Sequence, residues 1–228
     1  MIISHKHKFI FFKTRKTAGT SVEIALSEIC GPDDVITPLM RRDERLRTVR
    51  GKQNWVVPEE MRPWWSKIAL KLGRNAHQAG VEFFHHIPAS RVKRLVPAEV
   101  WNSYRKVSIE RNPWDREVSF YFFRHKDSAT RPSFAEYLTK DHQPIRNYDI
   151  YTADGRPADT IFRYENLAKE LDDFLAGLGI EERPVLKNAK GAFRPSESRD
   201  YRSFYTPELR ERVAKLYRRE IALFGYEF

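Results

Sequence analysis

The sequence predicts a three-layer αβα fold, with helices covering both faces of a central parallel sheet. Three strand–turn–helix units carry that expectation. Residues 9–29, 104–123 and 160–178 each run from a short apolar strand into a segment with apolar side chains at helical spacing. The 228 residues suffice for one domain with a substantial core, so 1–228 is read as a single domain.

The first unit opens on Phe9-Ile10-Phe11-Phe12, apolar throughout between Lys8 and Lys13, as expected of a strand buried on both faces. Val22, Ala25, Leu26 and Ile29 give the next helix one apolar face, and Gly31-Pro32 ends it. Between strand and helix lie Arg15, Lys16, Gly19 and three hydroxyls, Thr17, Thr20 and Ser21. Such a turn aims backbone N–H groups and the positive end of a helix dipole at one point, which suits a phosphate or sulfate. The sheet is therefore expected to be P-loop-like. A nucleoside-triphosphate loop, however, needs G-x-x-x-x-G-K-[ST]; here Lys16 precedes Gly19 and no glycine opens the turn.

In the second unit Val107 and Ile109 mark a strand, and Asn112-Pro113 starts a helix with proline where its missing N–H costs nothing. Arg111 stands at the strand tip and Ser119 two turns into the helix, a guanidinium fork and a hydroxyl aimed at one anion. The third unit pairs a strand at 160–164 with Leu167, Leu171, Phe174, Leu175 and Leu178 at helical spacing. A last helix begins at Thr206-Pro207, carries Leu209, Val213, Leu216, Tyr217 and Ile221, and ends before Gly225.

The run Lys16-Thr17-Ala18-Gly19-Thr20-Ser21 resembles the 5′-phosphosulfate loop of sulfotransferases that use 3′-phosphoadenosine 5′-phosphosulfate (PAPS), with Arg15 in place of that family's proline. Arg111, Asn112, Pro113, Arg116, Ser119 and Tyr121 resemble its 3′-phosphate motif without departure. The late strand with Arg163-Tyr164-Glu165-Asn166-Leu167 and the closing residues 220–228 are similar to the bacterial and carbohydrate-type members. The resemblance spans roughly residues 8–30, 83–123 and 158–228. It implies that PAPS is the sulfuryl donor and that Arg15, Lys16, Thr17, Ala18, Gly19, Thr20 and Ser21 hold the phosphosulfate. It further implies that Arg111 and Ser119 hold the 3′-phosphate, and that Lys190 and Arg194 close over the nucleotide. The implied acceptor is a hydroxyl, that of a carbohydrate first.

Sulfuryl transfer needs charge stabilisation on the departing phosphate oxygen and a base for the acceptor proton. Lys16 and the loop N–H groups suit the first task. For the second, Phe83-Phe84-His85-His86-Ile87-Pro88 reads as a strand delivering a histidine to the sheet's carboxyl edge, with His86 preferred to His85. A histidine base predicts an acidic limb in the pH profile. Glu110 is expected to orient an arginine. No metal is expected, because the seven histidines and one cysteine show no zinc spacing.

One cysteine, Cys30, forbids an internal disulfide and suits a reducing compartment, and no apolar run approaches membrane-spanning length. A bacterial, cytoplasmic protein is expected. The formal net charge is +10. Residues 41–74 hold ten basic against four acidic residues and three of the five tryptophans, within a basic insertion at 41–80. That composition fits either an acceptor-binding region or a solvated helical segment with its tryptophans packed inward. Two other functions remain open. A P-loop-type nucleotide kinase would require ATP with Mg²⁺, and a non-catalytic glycan or nucleic-acid binder would use the basic insertion alone.

Overall fold

The computed structural model describes residues 1–128, 130–140, 142–187 and 200–228. Strand β1 (Ile2–Ser4) turns back as β2 (Phe9–Phe11), and helix α1 (Gly19–Ile29) leads to β3 (Val35–Ile36). Four short helices follow: α2 (Arg41–Glu44), α3 (Trp64–Lys71), α4 (Ala89–Leu95) and α5 (Ala98–Ser103). Strand β4 (Arg105–Glu110) then runs into α6 (Pro113–Arg124), α7 (Phe134–Thr139) and α8 (Asn147–Tyr151). A small hairpin of β5 (Thr152–Ala153) and β6 (Arg156–Pro157) precedes β7 (Thr160–Arg163). Helices α9 (Leu167–Gly177), α10 (Pro207–Leu216) and α11 (Arg218–Phe224) complete the order.

The main sheet has the order β3-β1-β2-β4-β7. Its β2-β4-β7 half is parallel, with Phe11 opposite Val107 and Glu110 opposite Arg163. Strand β1 runs antiparallel to both its neighbours. The sheet is therefore mixed, and the residues His5 to His7 lie in the turn between two strands. Helices lie on both faces, as expected. Ile2, Phe9, Phe11, Val107 and Phe162 face Val22 and Leu26 of α1 and Leu171 and Phe174 of α9. Ile3, Ile10 and Phe12 alternate to the opposite face, under Val92 and Leu95 of α4 and Ile150 and Tyr151 of α8. A third cluster joins Trp114, Val118 and Phe122 of α6 to Tyr137 of α7 and Val213 of α10.

Two expectations are corrected. The carboxyl-terminal helix is two helices, because Tyr217 leaves helical geometry (φ −115°, ψ 28°) and its hydroxyl turns inward to Glu117. Residues 83–86 are not a regular strand. After a single bridge at Val56–Glu82 the chain passes into a turn at His85 and His86, with His86 at φ 63°. Asp154 and Gly155, both at positive φ, make the turn of the β5–β6 hairpin.

Candidate active site

At the carboxyl end of β2 and β4 the chain encloses one cavity, where ligands of open α/β sheets bind. Its floor is the loop between β2 and α1, fastened to β4. The Phe12 N–H donates to the Val107 carbonyl (2.8 Å), Ser108 Oγ to the Phe12 carbonyl (2.8 Å) and Thr14 Oγ1 to the Ile109 carbonyl (2.5 Å). Thr17 Oγ1 then donates to Thr14 Oγ1 (2.7 Å). Lys16 (φ 62°) and Ala18 (φ 60°) both adopt left-handed backbone, and such alternation curls a loop into a concave N–H nest. Gly19 is needed for space. A Cβ there would stand 2.9 Å from Lys13 Cγ and 3.3 Å from the Thr14 carbonyl. Lys13 cannot easily yield, because its Nζ is held 2.9 Å from the buried carboxylate of Glu23.

Arg111 and Ser119 complete the cationic wall. Asn112 caps α6 by accepting the Trp114 N–H (3.1 Å), with Pro113 in the first turn, and the helix presents Ser119, Phe120 and Phe123 to the cavity. The Arg111 guanidinium is held before any ligand arrives. Nε donates to Asp115 Oδ2 (2.8 Å), Nη1 donates to the Lys16 carbonyl (3.3 Å), and the group lies 4.0 Å from the Tyr164 ring centre. Lys16 Nζ stands 4.1 Å over the Phe123 ring, an electrostatic attraction to its face.

Beneath the loop is a polar hub. Glu110, fully buried, accepts from the Arg111 N–H (2.9 Å), Arg116 Nη1 (2.5 Å) and Tyr151 Oη (3.2 Å). Asn147 reaches Glu110 at 3.5 Å and pairs with the backbone of Arg15 in both directions: it accepts the Arg15 N–H (2.8 Å) and donates to its carbonyl (3.0 Å). One side chain thus ties the anion loop to the strand that presents Arg111.

His86 also lines the cavity. Its Nδ1 lies 2.8 Å from the Lys13 carbonyl, which can only accept, so Nδ1 carries the proton and Nε2 keeps a bare lone pair. Burial, with the Lys13 charge second, lowers its pKa from 6.5 to about 2. The ring is therefore neutral in the free protein. The acidic limb expected of a histidine base moves out of the range around pH 6.

The model of the family described as the sulfotransferase family matches residues 1–227. The chain belongs to the sulfotransferase family. Its sequence is 26% identical over 108 residues to an uncharacterised protein of Archaeoglobus fulgidus, covering 42% of this chain and 85% of that protein. Among solved structures it is similar to mouse sulfotransferase SULT7A1 complexed with PAP, with a TM-score of 0.47 at 15% identity, over 98% of this chain and 87% of that one. It is also similar to a sulfotransferase from Alicyclobacillus acidocaldarius, with a TM-score of 0.44 at 18% identity, over 97% and 96% of the two chains.

In this sulfotransferase the cavity brings together Arg15, Lys16, Ala18, Gly19, Thr20, Ser21, Arg111, Ser119 and His86 of the residues expected from sequence. Thr17 is the exception. It is fully buried and its hydroxyl is committed to Thr14, so its side chain braces the loop from behind. Lys190 and Arg194 lie outside the described residues. Glu110 orients Arg116, as expected, and Arg116 itself is buried structure. Asp115, Tyr164, Phe123 and Asn147 were missed. Asp115 sits four residues after Arg111, a spacing that signals pairing at a helix entry. Asn147, 132 residues from Arg15, gives no local signal.

Proposed function

We propose that this sulfotransferase moves the sulfuryl group of PAPS to a hydroxyl of a carbohydrate, an anionic one by preference. The observation that carries the reading is a single cavity combining a curled cationic loop, a braced arginine and a neutral histidine with a bare nitrogen. The loop N–H groups and Lys16 are suited to the 5′-phosphosulfate, and Arg111 with Ser119 to the 3′-phosphate. As the acceptor oxygen bonds to sulfur, the sulfur–oxygen bond to the 5′-phosphate breaks and His86 Nε2 takes the acceptor proton. Lys16 offsets the charge growing on the departing phosphate oxygen. The products are a sulfate ester and adenosine 3′,5′-bisphosphate. An anionic donor in the cavity raises the proton affinity of the half-buried imidazole, so His86 is the stronger base when the donor is bound.

The acceptor reading rests on the cleft beside Phe84, two residues before His86. Trp65, His77, Gln78, Arg91 and Arg94 line it, and Arg91 lies over the Phe84 ring at 5.2 Å. Among the described residues neither Arg91 nor Arg94 has a carboxylate within 4.0 Å, which leaves both guanidinium groups for a ligand's anionic substituent. Among the described residues no helix is long and apolar enough to cross a membrane. We place the reaction in the cytoplasm, with Cys30 a buried free thiol.

The test combines calorimetry with adenosine 3′,5′-bisphosphate in the absence of divalent metal and sulfate transfer from PAPS onto a panel of neutral and acidic glycans. Binding of the bisphosphate and a sulfated glycan are expected. Failure to bind it, or binding of ATP only with Mg²⁺, overturns the donor assignment. Transfer only to non-carbohydrate hydroxyls overturns the acceptor.

A further inference from the structure

Helix α3 is apolar on two faces. Its inward side buries Ser66 and packs Ala69 and Leu70 against the core. Its outward side carries Trp64 and Ile68, with Leu72 at its carboxyl cap. At 100° per residue these three fall within one arc of about 80°. They are exposed by 76% (Trp64), 51% (Ile68) and 76% (Leu72). Isolated exposed apolar residues are ordinary, whereas three on one helical stripe form a surface.

Charge decides what covers it. Lys67 and Lys71 border the stripe on one side and Arg74 follows its end. Among the described residues none of the three has a carboxylate within 4.0 Å. A second copy laid face to face would bring these cations against their counterparts, a like-charge juxtaposition that disfavours association. An anionic lipid surface takes both features at once. Apolar side chains and tryptophan enter the boundary between headgroup and acyl chain, while lysines meet the phosphates.

We propose that the outward face of α3 docks this protein on an anionic lipid surface. The inference does not depend on the acceptor reading, but it bears on where the acceptor stands. Trp65, next on the helix, packs its ring 3.2 Å from the Cβ position of Gly80, beside Arg91 of α4, and α4 begins three residues after His86. A docked α3 therefore holds the His86 side of the molecule close to the lipid plane.

The experiment is co-sedimentation of the full chain with vesicles of phosphatidylcholine alone and of phosphatidylcholine mixed with phosphatidylglycerol. Binding to the anionic vesicles is expected. The double variant Trp64→Ser/Ile68→Ser should lower that partition by at least about tenfold at unchanged net charge and unchanged affinity for adenosine 3′,5′-bisphosphate. Lys67→Glu/Lys71→Glu should remove the preference for anionic vesicles. In the unsubstituted protein, brominated lipid should quench tryptophan fluorescence, a readout that needs no variant to fold. Equal binding of the Trp64→Ser/Ile68→Ser variant would reduce the effect to the net charge and overturn the proposal, as would absent quenching. A concentration-dependent dimer in sedimentation velocity that this variant abolishes would assign the face to a second copy instead.

Discussion

Replacing His86 with asparagine separates the proton chemistry of this residue from its structural bond. Asparagine places an amide N–H where Nδ1 donates to the Lys13 carbonyl, and it tolerates the left-handed φ of 63° better than most residues. It removes Nε2 and the titration. With the folded pKa at about 2 and the unfolded value near 6.5, the unfolded chain takes up a proton below pH 6.5 that the folded chain refuses. Stability therefore falls as pH drops, by about 1.4 kcal/mol per pH unit once below 6.5, or about 2 kcal/mol by pH 5. Urea unfolding at pH 7.5 and pH 5 should show the wild type losing about 2 kcal/mol more than His86→Asn over that interval, a loss visible against a typical 5–15 kcal/mol. The variant should bind adenosine 3′,5′-bisphosphate normally and fail to transfer sulfate. Identical pH dependence of the two proteins would refute the neutral ring. An active His86→Asn protein would refute its role as base.

Arg111→Ala should weaken adenosine 3′,5′-bisphosphate binding by about 2–4 kcal/mol in calorimetry, since a braced charge-assisted fork is lost and Asp115 is left beside the cavity. Lys16→Ala should depress kcat far more than bisphosphate affinity, because its charge acts where transition-state charge develops; the reverse pattern would make it a binding residue only. Asn147→Ala strands the Arg15 N–H and carbonyl, and should cost about 2–4 kcal/mol of stability by urea unfolding while raising KM for PAPS. Gly19→Ala should abolish bisphosphate binding, its methyl meeting Lys13 Cγ, while Ala18→Gly should bind normally and gain about 1 kcal/mol from relief of left-handed strain.

The parallel half of the sheet and both anion elements were legible because each is local. An apolar run, a turn of small and hydroxyl residues and a helical stripe lie within 20 or so residues of one another. Strand β1 escaped notice because three residues between a terminus and two histidines give no period to read. The inward turn of the Thr17 side chain was not legible, because composition names the hydroxyls of a loop without saying which way each points. The strand expected at His86 was a turn: among the described residues the approach to it pairs through Val81, Glu82 and Phe83 with the short stretch Trp55 to Val57, and that pairing ends before His85. His86 still reaches the sheet's carboxyl edge, brought there by its bond to Lys13. The hub of Glu110 and Asn147 depends on residues 37 positions apart and was beyond any local pattern. The tryptophans at 64 and 65 were placed by neither composition nor charge, which fit inward and outward packing equally.

The buried Glu23 also sets limits on how this enzyme can be re-engineered. Its carboxylate receives Lys13 from beneath the anion loop, Arg47 Nη2 at 2.9 Å and the Thr37 hydroxyl at 3.0 Å. Arg47 comes from the stretch that sequence marks as an insertion, yet it is part of the foundation on which the loop stands. Gln53 continues the attachment, pairing with Ile36 at the sheet edge. A chimera that exchanged residues 41–80 wholesale for another segment would take Arg47 from the buried Glu23 carboxylate, leaving it Lys13, the Met1 ammonium and Thr37, and would remove one support from beneath the anion loop. The exchangeable module begins after Gln53, and a graft cut there leaves the foundation of the loop intact.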